Sequence, residues 1–221
     1  MKPILVIGSS GHAAMVLEAI ELQRQYRIIG LLDSYEPVGK QKHGYVVCGI
    51  PEKAAELADA HSCRSFFVAV GDNWQRWHIS SKLAKIVPDV EFPIVIHPSV
   101  LISRSARIGY GTVVMAAAVI MPDASIGEGC LVNESSGVGH DCRLADYASV
   151  SGGVHMGGAS ALGFRSSLGI GSTVREKRVI GQDSVIGAGS VVVDDIPDGV
   201  VAYGLPARVM RQRSPDERYM L

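Results

Sequence analysis

Residues 120–156 read IMPDASIGEGCLVNESSGVGHDCRLADYASVSGGVHM, with an aliphatic or methionine side chain at every sixth position from Ile120 through Ile126, Val132, Val138, Leu144 and Val150 to Met156. The same register extends upstream to Ile102, Ile108 and Val114. Downstream it runs through Leu162, Leu168, Val174, Ile180, Ile186 and Val192. At even odds of an apolar residue, so long an unbroken run arises by chance on the order of once in 10^5. Two places before most of these stands a small residue, as at Ala106, Thr112, Ala118, Ala124, Cys130, Ser136, Cys142, Ala148, Ser160, Ser166, Ser172, Ser184 and Ser190. Two inward positions two apart imply a short strand followed by a corner. Three such segments close a triangular coil, in which residues eighteen apart stack at roughly 4.8 Å. Ladders of aliphatic and small side chains then fill the interior. Val154 and Arg178 break the small-residue ladder, and at Arg178 a bulged loop is expected.

This reading explains an unusual composition. The 221 residues are 47% hydrophobic but only 6% aromatic, with 25 glycines, whereas a layered core normally uses more rings. Glycines at Gly109, Gly111, Gly127, Gly129, Gly181, Gly187 and Gly189 fall at corners, where positive φ or close backbone approach is needed. Lys+Arg 21 against Asp+Glu 22 gives a net charge of −1, which argues against nucleic acid and anionic membrane surfaces as partners. Cys48, Cys63, Cys130 and Cys142 show no metal-ligand spacing. The apolar run Ile4–Ile7 is too short to span a membrane. A reduced, soluble, cytoplasmic protein without a metal is expected, with Cys130 and Cys142 as small packing residues.

Before His97 the period differs. Strands are predicted at 3–7, 26–32 and 65–70, and helices at 13–24, 51–60 and 73–86, with Gly8-Ser9-Ser10-Gly11 as a tight loop. Alternating strands and helices imply a small parallel sheet with covered faces. The chain divides into a 1–96 α/β domain and a 97–221 solenoid with a C-terminal tail.

The Ile-Gly-x-x-Ser/Ala pattern at Ile126, Ile180 and Ile186, with the closing Gly187-Ala188-Gly189-Ser190-Val191-Val192, Asp194-Asp195-Ile196-Pro197 and Gly204-Leu205-Pro206-Ala207-Arg208, resembles the hexapeptide-repeat acyltransferases. Gly8-Ser9-Ser10-Gly11-His12 and Val70-Gly71-Asp72-Asn73 with Arg76 narrow the likeness to the sugar-nucleotide acetyltransferase branch that includes bacillosamine, perosamine and sialic-acid acetyltransferases. The resemblance implies a Rossmann-like N-terminal domain that binds a nucleotide-linked amino sugar. It also implies a left-handed parallel β-helix that binds acetyl-CoA between the subunits of a homotrimer.

His140 and Asp141 occupy a corner, with Gly158 stacked one coil on. The residue pair matches the family's catalytic His-Asp/Glu pair. A neutral-pH base suits amine acylation, and Asp141 would orient the ring. The Gly158 N–H is the candidate oxyanion donor. By resemblance acetyl-CoA meets Asn133, Ser151, Gly158, Ile170, Gly171 and Ala188, mostly through backbone amides. Arg175, Lys177, Arg178 and Arg208 are candidates for its phosphates, with a solvated corner as the plain alternative. The Gly8–Gly11 loop lacks the spacing of a nicotinamide fingerprint, yet it opens a helix and suits a diphosphate. The family's substrate contacts map to Gly8, Ser10, Gly11 and His12, to Asp33 and Ser34 near base and ribose, and to Gly71, Asn73 and Arg76. His43, His61 and His78 read as solvated, His97 as structural, and His155 as an outward strand residue.

The expected activity is acetyl-CoA-dependent N-acetylation of a nucleotide-linked amino-deoxyhexose. The rivals are O-acetylation of a sialic-acid-like sugar and a non-catalytic solenoid scaffold. A zinc hydratase on the same solenoid is disfavoured, because no two histidines lie five apart.

Overall fold

The computed structural model describes residues 1–218. β1 (Lys2–Ile7) lies at the heart of the N-terminal sheet, flanked by β2 (Tyr26–Leu32). β3 (Gln41–Lys42) and β4 (Tyr45–Gly49) form a hairpin, and β4 extends the sheet parallel to β2. β5 (Ser65–Val68) pairs with the other edge of β1, giving the order β3-β4-β2-β1-β5. Continuous apolar runs on β1 and β5 are buried on both faces, as expected of a covered parallel sheet. One cover is α1 (Gly11–Gln23), which buries Ala13, Val16, Leu17, Ala19 and Ile20. The other is made by α2 (Ala54–Ala60), preceded by a 3-10 turn at Pro51–Lys53, and α3 (Asn73–Ile86). The sequence reading places these elements within a few residues but omits the β3-β4 hairpin.

From Val95 to Val192 the chain is a left-handed parallel β-helix. Every sixth-position residue from Ile102 to Val192 is the second residue of a two-residue strand, and these strands pair in parallel with partners eighteen apart, as in Val119↔Gly137 and Gly137↔His155, the spacing dropping to sixteen only at the closing end, where Val185 pairs with Val201. Three faces result. The first carries Val113–Val114, Leu131–Val132, Ser149–Val150, Ser167–Leu168 and Val185–Ile186. The second carries Leu101–Ile102, Val119–Ile120, Gly137–Val138, His155–Met156, Thr173–Val174 and Val191–Val192. The third carries Arg107–Ile108, Ser125–Ile126, Arg143–Leu144, Ala161–Leu162 and Val179–Ile180. Val95–Ile96 pairs with Val113–Val114 at the start of the first face, and an antiparallel hairpin of Val200–Gly204 and Ala207–Gln212 closes its end.

The corners follow one rule. The third residue after each inward aliphatic, from Gly111 to Gly189, has positive φ whatever its type, Asp141 (φ 58) and Tyr147 (φ 58) included. Glycines directly after the aliphatic serve the other purpose: a Cβ on Gly109 would stand 2.6 Å from the Gly127 carbonyl carbon of the next coil. Cys130 and Cys142 are buried in the core, and burial pushes the Cys130 thiol up to about 12, consistent with packing. The predicted bulge at Arg178 is absent. Val179–Ile180 pairs in register with Ala161–Leu162, and the Arg178 side chain leaves the ladder for Asp195, 3.5 Å away.

Candidate active site

The first face of the solenoid is covered by α1, whose apolar side packs with Val113, Met115 and Leu131. α3 is fastened to the corner between the third and first faces. Arg76 is 1% exposed; its Nε donates to Gly129 O at 2.7 Å, and its terminal nitrogens donate to Val70 O, Gly71 O, Asn73 Oδ1 and Tyr147 O. Asn73 Nδ2 donates to Arg165 O and Ser166 O, both at 3.1 Å. Asn73 and Arg76, expected at the substrate, are therefore buried staples between α3 and the solenoid. Their polar groups are directed at backbone carbonyls of the solenoid and of the Val70–Gly71 turn.

Two clefts flank the Gly8–His12 loop. One, of about 280 Å³, is lined by Gly8, Asp33, Ser34, Pro51, Val70, Trp74, Gln75, His78 and Arg218 among others. The other, of about 310 Å³, is lined by His12, Gly71, Asn133, Ser151, Ile170 and Ala188 together with outward residues of the first face. Gly8 has φ +106, and a Cβ there would lie 2.7 Å from Ala69 O, so only glycine fits. Gly11 faces open space. The first-turn amides of Gly11, His12 and Ala13 find no backbone acceptor among the described residues, and the Ser10 side chain does not cap them. Asp33 holds the loop's geometry: Oδ2 accepts from Ser9 Oγ at 2.6 Å, and Oδ1 accepts from the Tyr35 and Glu36 amides. His12 Nε2 is buried without a partner. Burial, with the Arg76 charge adding to it, lowers its pKa to about 4, so the ring is neutral at pH 7. Asn133 Oδ1 is likewise buried and unpartnered.

His140 lies elsewhere, on the corner between the second and third faces. Its Nδ1 stands 2.7 Å from Asp141 Oδ2 with both side chains exposed, which fixes the tautomer with Nδ1–H toward the carboxylate and leaves Nε2 free as a base. The imidazole lies over Gly158, where a Cβ would run into Nε2. The Gly158 N–H has no acceptor among the described residues. Among the residues expected at acetyl-CoA, the amides of Ile170 and Ala188 are free in the same sense. Those of Asn133, Ser151 and Gly171 are tied to Val150 O, Leu168 O and Gly152 O, so these three do not offer backbone donors. Within one chain the His140–Asp141–Gly158 group and the Asn133–Ser151–Ile170–Ala188 group stand on different corners, separated by the second face.

The comparisons settle the family. The N-terminal family model described as the PglD N-terminal domain matches residues 3–83. A histidine-to-asparagine variant of perosamine N-acetyltransferase from Caulobacter crescentus, solved with CoA and GDP-perosamine, is 31% identical with a TM-score of 0.90, over 96% of this chain and 98% of that one. This chain belongs to the hexapeptide-repeat sugar N-acetyltransferases. The acetyltransferase domain of PglB from Neisseria gonorrhoeae, solved with acetyl coenzyme A, is 33% identical over 95% and 99% of the two chains, with a TM-score of 0.86. UDP-N-acetylbacillosamine N-acetyltransferase from Bacillus subtilis is 35% identical over 117 residues, and the match spans about half of each chain, 52% of either.

Several features of this family member escaped the sequence reading. His43, read as solvated, brings Nε2 to 3.0 Å of Ser9 O and braces the loop from the hairpin. His78 stacks on Trp74 at 5.0 Å and lines the smaller cleft. The i, i+4 spacing of Trp74 and His78 on a helix was the available signal. His97 makes the expected local bond, Nδ1 to Ser99 Oγ at 2.8 Å. Arg208 pairs with Asp194 at 3.0 Å. No helix among the described residues is long and apolar enough to cross a membrane.

Proposed function

We propose that the protein transfers an acetyl group from acetyl-CoA to the amine of a nucleotide-linked amino-deoxyhexose. The observation that carries this reading is the pair of clefts on either side of the Gly8–His12 loop. An elongated ligand laid across the loop puts its nucleoside against Asp33, Ser34 and Trp74. Its diphosphate meets the uncapped amides of α1, and its sugar lies beside His12, Gly71 and Asn133. Perosamine N-acetyltransferase, so similar in fold, holds CoA and GDP-perosamine. The buried, unpartnered oxygen of Asn133 and the free amides of Ile170 and Ala188 suit the amide-bearing arm of a CoA thioester. Bound there, that co-substrate supplies an acetyl group already activated for attack. His140 Nε2 takes the proton of the sugar amine as it attacks, Asp141 steadies the ring, and the Gly158 N–H donates to the thioester oxygen as that oxygen gathers charge; the C–S bond then breaks and His140 gives that proton to the departing sulfur, which leaves as the thiol.

The site is completed between chains. The outward residues of the second face are Leu101, Val119, Gly137, His155, Thr173 and Val191, without Lys, Arg, Asp or Glu, whereas the third face presents Arg107 and Arg143. Burying the second face around a threefold axis sets the His140 corner of one chain against the Asn133 corner of the next. The reading places the reaction in the cytoplasm, in keeping with four free cysteines. Thiol release from acetyl-CoA, assayed with UDP-, GDP- and dTDP-linked 4-amino-deoxyhexoses and with a sialic acid, tests it. Turnover with one amino sugar, abolished in His140→Ala, is the expected result. Activity on the sialic acid alone moves the reading to O-acetylation, and no turnover at all refutes it.

A further inference from the structure

The smaller cleft, of about 280 Å³, contains one side chain from the far end of the sequence. Among its lining residues Arg218 is the only lysine or arginine, and Asp33 is the only carboxylic side chain. Arg218 reaches the cleft because the chain turns back after the closing hairpin. The Arg213 amide donates to Gly199 O at 2.8 Å, and its guanidinium donates to Asp183 O at 2.7 Å and to Glu217 O at 2.5 Å. Arg211 grips the Glu217 carboxylate through two bonds, at 3.0 and 2.5 Å. The tail is thus fixed up to the residue before Arg218. Gln75, in the first turn of α3, completes the placement: with its amide oxygen turned to the tail, it accepts from Arg218 Nε at 3.1 Å and from a terminal nitrogen at 3.3 Å. These bonds leave guanidinium donors for a ligand.

We infer that the C-terminal tail is a strap across the nucleotide cleft, and that Arg218 is a substrate-binding residue that counters the charge of the nucleotide's diphosphate. This rests on the nucleotide-sugar reading above and adds a recognition element to it. A nucleoside diphosphate brings about two negative charges beyond the nucleoside. The loop amides and helix dipole of α1 are equivalent to only about half a positive charge, and His12 is neutral at pH 7. Arg76, the other cation near the loop, is buried and directed at backbone carbonyls, so the lining of the cleft itself is short of positive charge without Arg218. An arginine fits the need better than a lysine, since its planar fork bonds a phosphate oxygen pair while Gln75 holds another edge.

The test is calorimetric binding of UDP, GDP and dTDP, and of the matching nucleosides, to the full-length protein and to Arg218→Ala and Arg218→Lys, alongside steady-state kinetics. Arg218 is exposed, so both variants should fold, and unchanged urea midpoints will confirm it. Arg218→Ala is expected to weaken the preferred diphosphate roughly tenfold and to raise the KM of the nucleotide sugar similarly. The KM of acetyl-CoA and the nucleoside affinity should stay unchanged, and Arg218→Lys should recover part of the loss. Equal diphosphate affinity in wild type and Arg218→Ala overturns the strap while leaving the nucleotide-sugar reading intact. Equal losses for nucleoside and diphosphate overturn the charge role. Wild-type protein that binds none of the three diphosphates overturns both readings.

Discussion

Between pH 7.5 and 5, acidification should weaken this protein chiefly through one imidazole. His12 sits at the start of α1 with a buried, unpartnered Nε2. Burial first, and the Arg76 guanidinium second, lower its pKa to about 4 from an ordinary 6.5. In the unfolded chain the same ring takes a proton near pH 6.5. Between these values the unfolded state binds more protons, so this ring's contribution to stability falls as pH drops and stops falling below about 4. A difference of about 2.5 units at roughly 1.4 kcal/mol each gives ~3 kcal/mol in all, of which about 2 kcal/mol is lost by pH 5. Urea unfolding of wild type and His12→Gln from pH 7.5 to 5 isolates this contribution, because the carboxylates behave alike in both. The wild-type curve should fall by about 2 kcal/mol more than the variant's. Superimposable pH profiles, or an NMR titration placing His12 near 6.5, would refute the argument. The consequence for binding is specific: at pH 7 His12 offers a substrate a hydrogen bond and no charge, so the positive potential of the loop comes from its amides, from the buried Arg76 and from Arg218.

Two further outcomes follow from the solenoid. In Gly158→Ala the new methyl group occupies the space of the His140 ring. Turnover should therefore fall by about 10²–10⁴, the worth of a displaced general base, with the urea midpoint nearly unchanged; normal turnover would show that the ring position is immaterial. Co-expression of His140→Ala with Asn133→Ala should restore about a quarter of wild-type activity, since random mixing leaves that fraction of shared sites with both native corners, whereas sites contained in one chain would recover nothing.

How much of this was legible depended on how local its cause was. The sixfold period is imposed on every coil by the need to bury one aliphatic and one small residue, so it shows in the sequence without any partner. His140 and Asp141 are adjacent, and their pairing is equally local. The surroundings of Asn73 and Arg76 were hidden for the opposite reason. An Asn and an Arg in the first turn of a helix look the same whether they face a ligand or the carbonyls of Gly129, Tyr147, Arg165 and Ser166, which lie 53 to 93 residues away. The β3-β4 hairpin was missed because only β4 adds to the parallel sheet, and Tyr45–Gly49 buries only Val47 and Gly49. Arg218 gave no signal at all: its meaning arises where a tail crosses a domain more than a hundred residues earlier in the chain.

One long-range feature was nevertheless within reach of counting. In a coil of three six-residue segments, residues share a corner when their numbers differ by a multiple of eighteen, give or take the width of the corner. His140 and Gly158 differ by eighteen, as do Asn133 and Ser151, and Ile170 and Ala188. From Ser151 to Ile170 is nineteen, so those four share one corner, while from Asn133 to His140 is seven, which steps to the next. The stacking register confirms the arithmetic, Gly137 lying under His155 and Leu131 under Ser149. A base and an acyl-chain groove on successive corners of a rigid prism cannot be brought together by bending it, because each corner is locked by ladders on both sides. If both groups serve one reaction, the second corner must come from another chain. The spacing of the site residues thus carries the argument for assembly, and the second face between the two corners, whose outward residues include no Lys, Arg, Asp or Glu, supplies the surface on which it can occur.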